Sequence, residues 1–184
     1  MNKFQALPPK KIIKAKAGFT LVEIITVLFV VSLGLVGILA LITQNIQSQS
    51  YNKNNLIAYQ LAQEGIELIR QVRDSNWKVV PGVSFNTNLA PEPDVTYQYY
   101  MDYLDSAPHD ASSDTTTLTV LKQDSQGFYS HHSSSDSVPS GFSRLITVQE
   151  NSDGTYLQVI SRVFWSDHNH KYNYDLETRL YDWK

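Results

Sequence analysis

The feature that most constrains this chain is an uninterrupted apolar run, Phe19–Ile42, close to its first residue. The run carries a single charged side chain, Glu23. As a helix it would extend roughly 36 Å, enough to cross a bilayer core of about 30 Å. Leu, Ile, Val and Phe occur all round such a helix, so that no face of it is polar. The alternative is a buried helix of a soluble domain, but the rest of the chain is small for burying so long an apolar helix. We therefore predict a transmembrane helix.

Charge is distributed unevenly on the two sides of this run. Five lysines and no acidic residue precede Phe19, whereas the rest of the chain carries 10 basic and 18 acidic groups, a net charge of -8. The lysines place the N-terminus in the cytoplasm by the positive-inside bias. The acidic remainder disfavours general binding to a phosphate backbone, so no nucleic-acid site is predicted. The chain has no cysteine, which excludes disulfides, thiolate catalysis and cysteine-ligated zinc.

A cleaved secretory signal is a second interpretation of the apolar run. Such signals have an apolar region of about 7–15 residues, followed by a small-residue cleavage site. Here the run is longer, and the residues after it, Thr43-Gln44-Asn45, do not form such a site. Small residues instead precede the run, at Ala15, Ala17 and Gly18. The pattern favours a membrane anchor over a secretory signal.

The junction between the lysines and the apolar run, residues 14–23 (KAKAGFTLVE), resembles the class III signal of type IV prepilins and type II secretion pseudopilins. The resemblance implies that prepilin peptidase removes the leader, Met1–Gly18, by cutting between Gly18 and Phe19 on the cytoplasmic side. It implies that the same enzyme then N-methylates Phe19, and that Glu23 is the residue used in filament assembly. Many pilins carry a proline near position 40, where this chain has Ala40.

The resemblance also implies partners and a location. The partners are prepilin peptidase, other pilin or pseudopilin subunits through the N-terminal helix, the inner-membrane assembly platform, and membrane lipid before assembly. The location is a single-pass protein of the cytoplasmic membrane with its head outside, and then a cell-surface filament or a periplasmic pseudopilus. No cofactor is implied.

Physical chemistry gives Glu23 a reason to seek a partner. A carboxylate within a membrane helix costs on the order of 2.5–3.5 kcal/mol at the bilayer centre. Cleavage after Gly18 would create a positive amine on Phe19, four residues away and on the same helix face. The family's model places the contact between the amine of one subunit and Glu23 of a neighbour, an attraction of roughly 4 kcal/mol at 4 Å before desolvation. The alternative is that Glu23 snorkels to the lipid headgroups and has no role in assembly.

The helical pattern continues beyond the membrane run. Leu61, Gly65, Leu68, Ile69 and Val72 recur at helical spacing, and Leu56, Ile57, Ala58 and Ala62 extend this stripe. Asp74-Ser75-Asn76 is a stop signal, so the prediction is one helix from about Phe19 to Arg73. Gly65 lies mid-helix, where it costs about 1 kcal/mol relative to Ala, and therefore marks close backbone packing.

The remainder of the chain is predicted to be a β-sheet head. Its β-rich segments are Val95–Leu104, Thr115–Lys122, Phe142–Glu150, Thr155–Ser166 and Lys171–Trp183. Residues 151–154 (NSDG) predict a hairpin turn, and the last three strands predict an antiparallel meander on the apolar stripe. The fold class is α+β. The predicted parts are the leader 1–18, the transmembrane or filament-core half-helix 19–42, the amphipathic half-helix 43–76 and the head 77–184.

No catalytic residue and no metal site is predicted. Glu64 and Glu67 are adjacent on the helix but have no nearby histidine or nucleophile. Calcium at Asp105, Asp110 and Asp114 fits no EF-hand spacing. Two pairs of histidines could bind a metal, but we expect their side chains to be exposed to solvent without one. The pairs are His131-His132 and His168/His170.

Three functions remain open at this level. The first is a structural filament subunit, most simply a minor pilin. The second is a pseudopilin of a type II secretion or DNA-uptake machine. The third is a membrane-anchored extracytoplasmic enzyme, which lacks a recognisable constellation of catalytic residues. On these grounds we expect that the chain is not an enzyme.

Overall fold

A computed structural model of the chain describes residues 18–79, 82–167 and 169–182. The predicted leader falls outside the described residues except for Gly18. The chain divides into two compact units, Met1–Ile46 and Gln47–Lys184. A single helix, α1 (Leu21–Val79), contributes its first part to the N-terminal unit and its second part to the C-terminal unit. The two units are described separately below.

The helix begins at a polar cap. The backbone N–H of Glu23 donates to Oγ1 of Thr20 at 3.2 Å, and the N–H of Ile24 donates to the Thr20 carbonyl at 3.2 Å. Thr20 is thus the N-cap, which satisfies one of the backbone donors that a helix start leaves unpaired. The helix begins two residues after the predicted first residue, because Thr20 serves as a cap and not as a helical position.

The helix ends at Val79, three residues beyond the predicted stop at Asp74-Ser75-Asn76. Ser75 donates from its hydroxyl to the Gln71 carbonyl one turn back, at 2.7 Å. The Asn76 amide donates to the carbonyls of Phe85 and Thr87 in the following loop. Ser75 bonds back to the preceding turn of the helix and Asn76 bonds to the next loop, so neither side chain takes a backbone N–H away from the helix in the way that usually ends one.

The C-terminal unit contains one seven-stranded antiparallel sheet among its described residues. The strands are β1 (Thr96–Tyr100), β2 (His109–Asp110), β3 (Val120–Gln123), β4 (Tyr129–Ser130), β5 (Val138–Glu150), β6 (Tyr156–Asp167) and β7 (His170–Tyr181). β5 is the central strand and pairs with β6 on one edge. Along its other edge it pairs first with β3 and then with β1. β2 extends the sheet beyond β1, β4 extends it beyond β3, and β7 pairs with β6.

The predicted meander of the last three strands is confirmed. β5, β6 and β7 pair consecutively and antiparallel. The turn at residues 151–154 joins β5 to β6, with the Asn151 N–H donating to the Tyr156 carbonyl and Gly154 at a φ of 66°. Side-chain alternation along β6 is also confirmed, since Leu157, Val159, Ser161, Val163 and Trp165 are all buried.

The predictions for the middle of the head were less accurate. Residues 115–118 are turn and not strand, because Oδ1 of Asp114 accepts from the backbone N–H groups of Thr116 and Thr117. Two short strands, β2 and β4, form outside the five segments that were predicted to be β-rich. Two-residue strands leave too little periodicity to be detected in a sequence.

The helix stripe packs on the inner face of the sheet in two apolar clusters. One cluster surrounds Ile69, with Leu89, Met101, Ile146 and Val159 among its fully buried members. The other surrounds Ala62, with Leu121, Phe142, Val163 and Trp165. Leu56 was predicted to belong to the stripe but is exposed. Burial of apolar surface contributes about 25 cal/mol per Å² to the free energy of folding, so these two clusters are the main favourable contribution to folding of the unit.

A polar layer separates the two clusters. Arg144 of β5 is fully buried there and donates to the Leu61 carbonyl at 3.0 Å and to the Met101 carbonyl at 2.6 Å. Its guanidinium also lies 3.3 Å from a carboxylate oxygen of Glu64. Arg144 therefore ties the helix, the central strand and the segment after β1 together.

Candidate assembly segment and polar clusters

The apolar part of α1 is exposed along its length. Within the described residues α1 is the one helix long and apolar enough to cross a membrane by length and composition, and none of its apolar window is buried. The large apolar side chains from Phe19 to Ile42 are all at least half exposed except Ile42, which is close to half. A helix that is apolar all round and uncovered by its own chain needs lipid or other subunits around it.

The polar side chains of this segment are suited to an apolar surrounding. Oγ1 of Thr26 donates to the Val22 carbonyl at 2.7 Å, and Oγ of Ser32 donates to the Phe29 carbonyl at 2.8 Å. Thr43, at the end of the run, donates to the Leu39 carbonyl in the same way. Each hydroxyl is thus satisfied by the helix itself, which removes the cost of placing it in hydrocarbon.

Glu23 differs from these residues. In the described part of the chain its carboxylate makes no hydrogen bond or ion pair, although its backbone N–H is capped by Thr20. It lies in the first turn of α1, where the helix dipole favours a negative charge. Thr20 and Glu23 have the spacing of a capping box, which is a sequence signal for this helix start.

Phe19 and Glu23 share one shallow groove on this helix. The groove has a volume of about 250 Å³ and is lined by Phe19, Glu23, Ile24, Val27 and Leu28. Apart from the carboxylate its lining is apolar. The structure thus places the two residues singled out by the prepilin-like junction side by side on one face, as the helical spacing predicted. Gly18 has open space around its Cα, with no atom within 4 Å of a Cβ placed there.

Both acidic residues that could be read as a catalytic pair are engaged with arginines. Glu64 pairs with buried Arg144, and Glu67 pairs with Arg70 at 2.6 Å. Desolvation lowers the pKa of Arg144, and the Glu64 carboxylate opposes that shift. Glu64 and Glu67 therefore act as partners of positive side chains within the C-terminal unit.

The three aspartates considered and rejected as a calcium site, Asp105, Asp110 and Asp114, are engaged in separate contacts. Asp110 accepts from the N–H and hydroxyl of Ser112, and Asp114 accepts from Thr116 and Thr117. These local hydrogen bonds lower the pKa of both carboxyls, whose charge is satisfied within their own turns. Asp105 instead belongs to a different group, described next.

A cluster of carboxylates and imidazoles, which we call the Asp102 cluster, joins the loop after β1 to the loop after β4. Its members are Asp102, Asp105, His109 and His132. His132 Nδ1 lies 3.1 Å from Oδ2 of Asp102, and His132 Nε2 lies 3.6 Å from Oδ1 of Asp105. His109 Nε2 approaches the same Oδ1 of Asp105 to 3.1 Å.

Asp102 is held as an anion. Its side chain is completely buried, which opposes ionisation. The backbone N–H groups of Leu104 and His131 nevertheless donate to it at 2.9 and 2.7 Å, and the His132 imidazole lies beside it. Together these contacts outweigh burial and keep the pKa of Asp102 below its ordinary value.

His131 was predicted to be exposed, and this is wrong. Its ring packs edge-on against Tyr100, and Nδ1 lies 3.3 Å from the Val120 carbonyl. Burial, reinforced by the positive charge of Arg144, lowers the pKa of His131 to about 4. The residue is therefore neutral at physiological pH. His170 is exposed, and His168 lies outside the described residues.

Comparisons with protein-family models, with curated proteins and with solved structures return no match for this chain.

Proposed function

We propose that this chain is a structural subunit of a type IV pilus-like filament, a minor pilin that prepilin peptidase processes and that assembles through its N-terminal helix. The observation that carries the proposal is the first turn of α1. There the carboxylate of Glu23, which has no partner among the described residues, lies on an uncovered apolar helix a few residues after the Gly18-Phe19 junction. The hydroxyls of Thr26, Ser32 and Thr43 on the same segment are hydrogen-bonded to the helix backbone.

The chemistry of this arrangement favours assembly over simple anchoring. A plain anchor has no use for a carboxylate, which raises the free energy of the helix in lipid. Cleavage between Gly18 and Phe19 would release an amine beside the groove that Phe19 and Glu23 share. The amine of one subunit and the carboxylate of the next could then neutralise each other as the helices pack. Such a pair would set the axial register between neighbouring subunits.

Helices that pack in a filament need surfaces that contact each other without intervening water. The apolar segment presents such a surface all round, and its hydroxyls are bonded to its own backbone. The same surface is suited to lipid before assembly. A subunit could therefore move from bilayer to filament without exposing unsatisfied polar groups.

Processing is the first test of the proposal. Mass spectrometry of the membrane-derived protein should show an N-terminal methyl-Phe19 and no residue before it. Gly18→Leu should block cleavage, because a peptidase must approach the backbone closely at this position. Intact leader in assembled material would contradict the proposal.

Assembly is the second test. Glu23→Val should leave the C-terminal unit folded and the protein in the membrane, while its incorporation into filaments falls sharply. Thr26→Val is the matched control, since it removes a polar group from the same helix without changing charge, and it should assemble like the wild type. Equal incorporation of both variants would leave Glu23 as a snorkelling residue. Recovery in short periplasmic assemblies, and not in sheared surface filaments, would point to a pseudopilin.

A further inference from the structure

We propose that Asp102, Asp105 and His132 form a binding site for one divalent transition-metal ion, of which zinc is the probe. The three side chains come from two loops of the C-terminal unit. Each offers one donor atom, and the three donor atoms lie within 4.8 Å of one another. The site is independent of the proposed filament role, since it lies wholly within Gln47–Lys184.

The spacing of the donors is close to that of a metal shell. Zinc bonds to imidazole nitrogen and carboxylate oxygen are about 2.0–2.2 Å long, so neighbouring donors in a tetrahedral shell are roughly 3.3–3.6 Å apart. His132 Nε2 and Asp105 Oδ1 already have this separation, at 3.6 Å. Asp102 Oδ2 lies 3.1 Å from the other nitrogen of the same ring. One donor atom from each of the three residues lies within 4.8 Å of the other two, so a single ion between them needs only small adjustments of these side chains.

A second observation, the balance of buried charge, also points to a cation. The Asp102 side chain is 0% exposed and that of Asp105 is 6% exposed. Arg144 donates to the carbonyl of Met101, next to Asp102 in the chain, but it already pairs with Glu64 at 3.3 Å. Apart from the imidazoles of the cluster, the guanidinium of Arg144 is thus the one positive group described here beside the three carboxylates of Asp102, Asp105 and the partly exposed Glu64. A divalent ion would neutralise the two remaining charges.

The donor set selects the class of metal. Calcium and magnesium prefer shells made of oxygen, and calcium takes about 6–8 such ligands. A set of one imidazole and two carboxylates instead suits zinc and its neighbours in the first transition series. Three protein ligands also leave a fourth position for water.

The surrounding contacts hold the ligands in place. The N–H groups of Leu104 and His131 fix the Asp102 carboxylate, and the N–H of Asp102 donates to Oδ2 of Asp105 at 2.9 Å. His109 Nε2 lies 3.1 Å from Oδ1 of Asp105 and also restrains that carboxylate. Outer partners of this kind orient metal ligands. His132 is 53% exposed, which gives an ion access from solvent.

The experiment uses the full chain in detergent micelles, purified without a histidine tag and stripped with a chelator. Isothermal titration with Zn²⁺ should show saturable binding of one ion per chain. Co²⁺ should give the visible absorption of a tetrahedral site. His132→Ala and Asp105→Asn should each weaken Zn²⁺ binding by at least roughly tenfold and abolish the Co²⁺ spectrum. The matched controls, His170→Ala and Asp153→Asn, change exposed residues of the same types outside the cluster and should bind like the wild type.

The outcomes that overturn the proposal are specific. Wild-type Zn²⁺ affinity in the His132→Ala and Asp105→Asn variants would show binding elsewhere. Saturable Ca²⁺ binding without Zn²⁺ binding would show a site made of oxygen ligands only. If none of these ions binds saturably, protons alone balance the negative charge of Asp102 and Asp105. Unfolding of a variant can be distinguished from loss of a ligand. His132 is half exposed, and thermal melts of the metal-free variants measure their folding separately.

Discussion

Gly65 of α1 lies directly against Ser161 of β6, so close that a Cβ on Gly65 would overlap Ser161 Oγ. The same Cβ would lie 3.1 Å from Cδ of Arg144. The absence of a side chain at this one helical position lets the helix approach the polar layer of the core. The close packing predicted from a mid-helix glycine is therefore confirmed.

Gly65→Ala should destabilise the C-terminal unit. Alanine gains about 1 kcal/mol of helix propensity, but overpacking in a core costs about 1–3 kcal/mol, so a net loss of up to about 2 kcal/mol is expected. Urea unfolding of the full chain in micelles, followed by near-UV circular dichroism, measures it. Ser161 Oγ has no hydrogen-bond partner among the described residues, so Ser161→Ala alone should cost little. The double variant should recover much of the lost stability, and an unchanged loss there would show that the Ser161 hydroxyl is not the obstacle.

Arg144→Lys should be costly despite keeping the charge. A lysine cannot donate to the Leu61 and Met101 carbonyls from a planar fork while facing Glu64. Leaving a buried carbonyl unpaired costs about 1–3 kcal/mol. Arg162→Lys is the matched control, because Arg162 forms a similar pair with Asp175 on the exposed face and should lose less than about 1 kcal/mol. The urea midpoints of both variants test this. Similar losses for the two would mean that the buried fork has no special role.

Acid should destabilise the C-terminal unit through His131. The unfolded imidazole binds a proton near its ordinary pKa of 6.5, whereas burial and the Arg144 charge lower the folded pKa to about 4. Between these values the unfolded state holds more protons, so the free energy of unfolding falls as the pH falls from about 6.5 to about 4. The full effect is on the order of 3 kcal/mol. Asp102, with a lowered pKa, loses its contribution only at lower pH.

Urea unfolding at several pH values, with chelator present, tests this acid sensitivity. His131→Gln should remove the part of the slope due to His131, and the difference from wild type should grow as the pH falls towards 4. His170→Gln, at an exposed histidine, should keep the wild-type slope. Parallel curves for wild type and His131→Gln would show that His131 is protonated normally in the folded protein.

The fragment 47–184 should fold without the apolar segment, because it holds the helix stripe, the sheet and both apolar clusters. It should be soluble and melt cooperatively. The fragment 82–184 should aggregate, since Leu157, Val159 and Val163 would lose the helix that covers them, at about 25 cal/mol per Å² of apolar area exposed. Analytical ultracentrifugation and thermal melts compare the two. A monomeric, cooperative 82–184 fragment would show that the sheet does not depend on the helix.

Features that depend on local periodicity could be predicted from the amino-acid pattern alone. The apolar run up to Ile42, the alternation along β6 and the turn at residues 151–154 each appear as a pattern within a few consecutive residues, and each is present in the structure. The choice of Phe19 and Glu23 also came from a short contiguous motif. What these two residues do remains a proposal, because it depends on other subunits.

The contacts of the polar interior, by contrast, could not be predicted before the fold was known. Arg144 meets a carbonyl 83 residues earlier in the chain, and His132 meets an aspartate 30 residues earlier. Which residues face each other there depends on the register between β5, β3 and β1 and on where α1 crosses the sheet. A one-residue change of register would place Arg144 on the other face. No local pattern contains that register, because it results from packing the whole apolar stripe against the whole sheet.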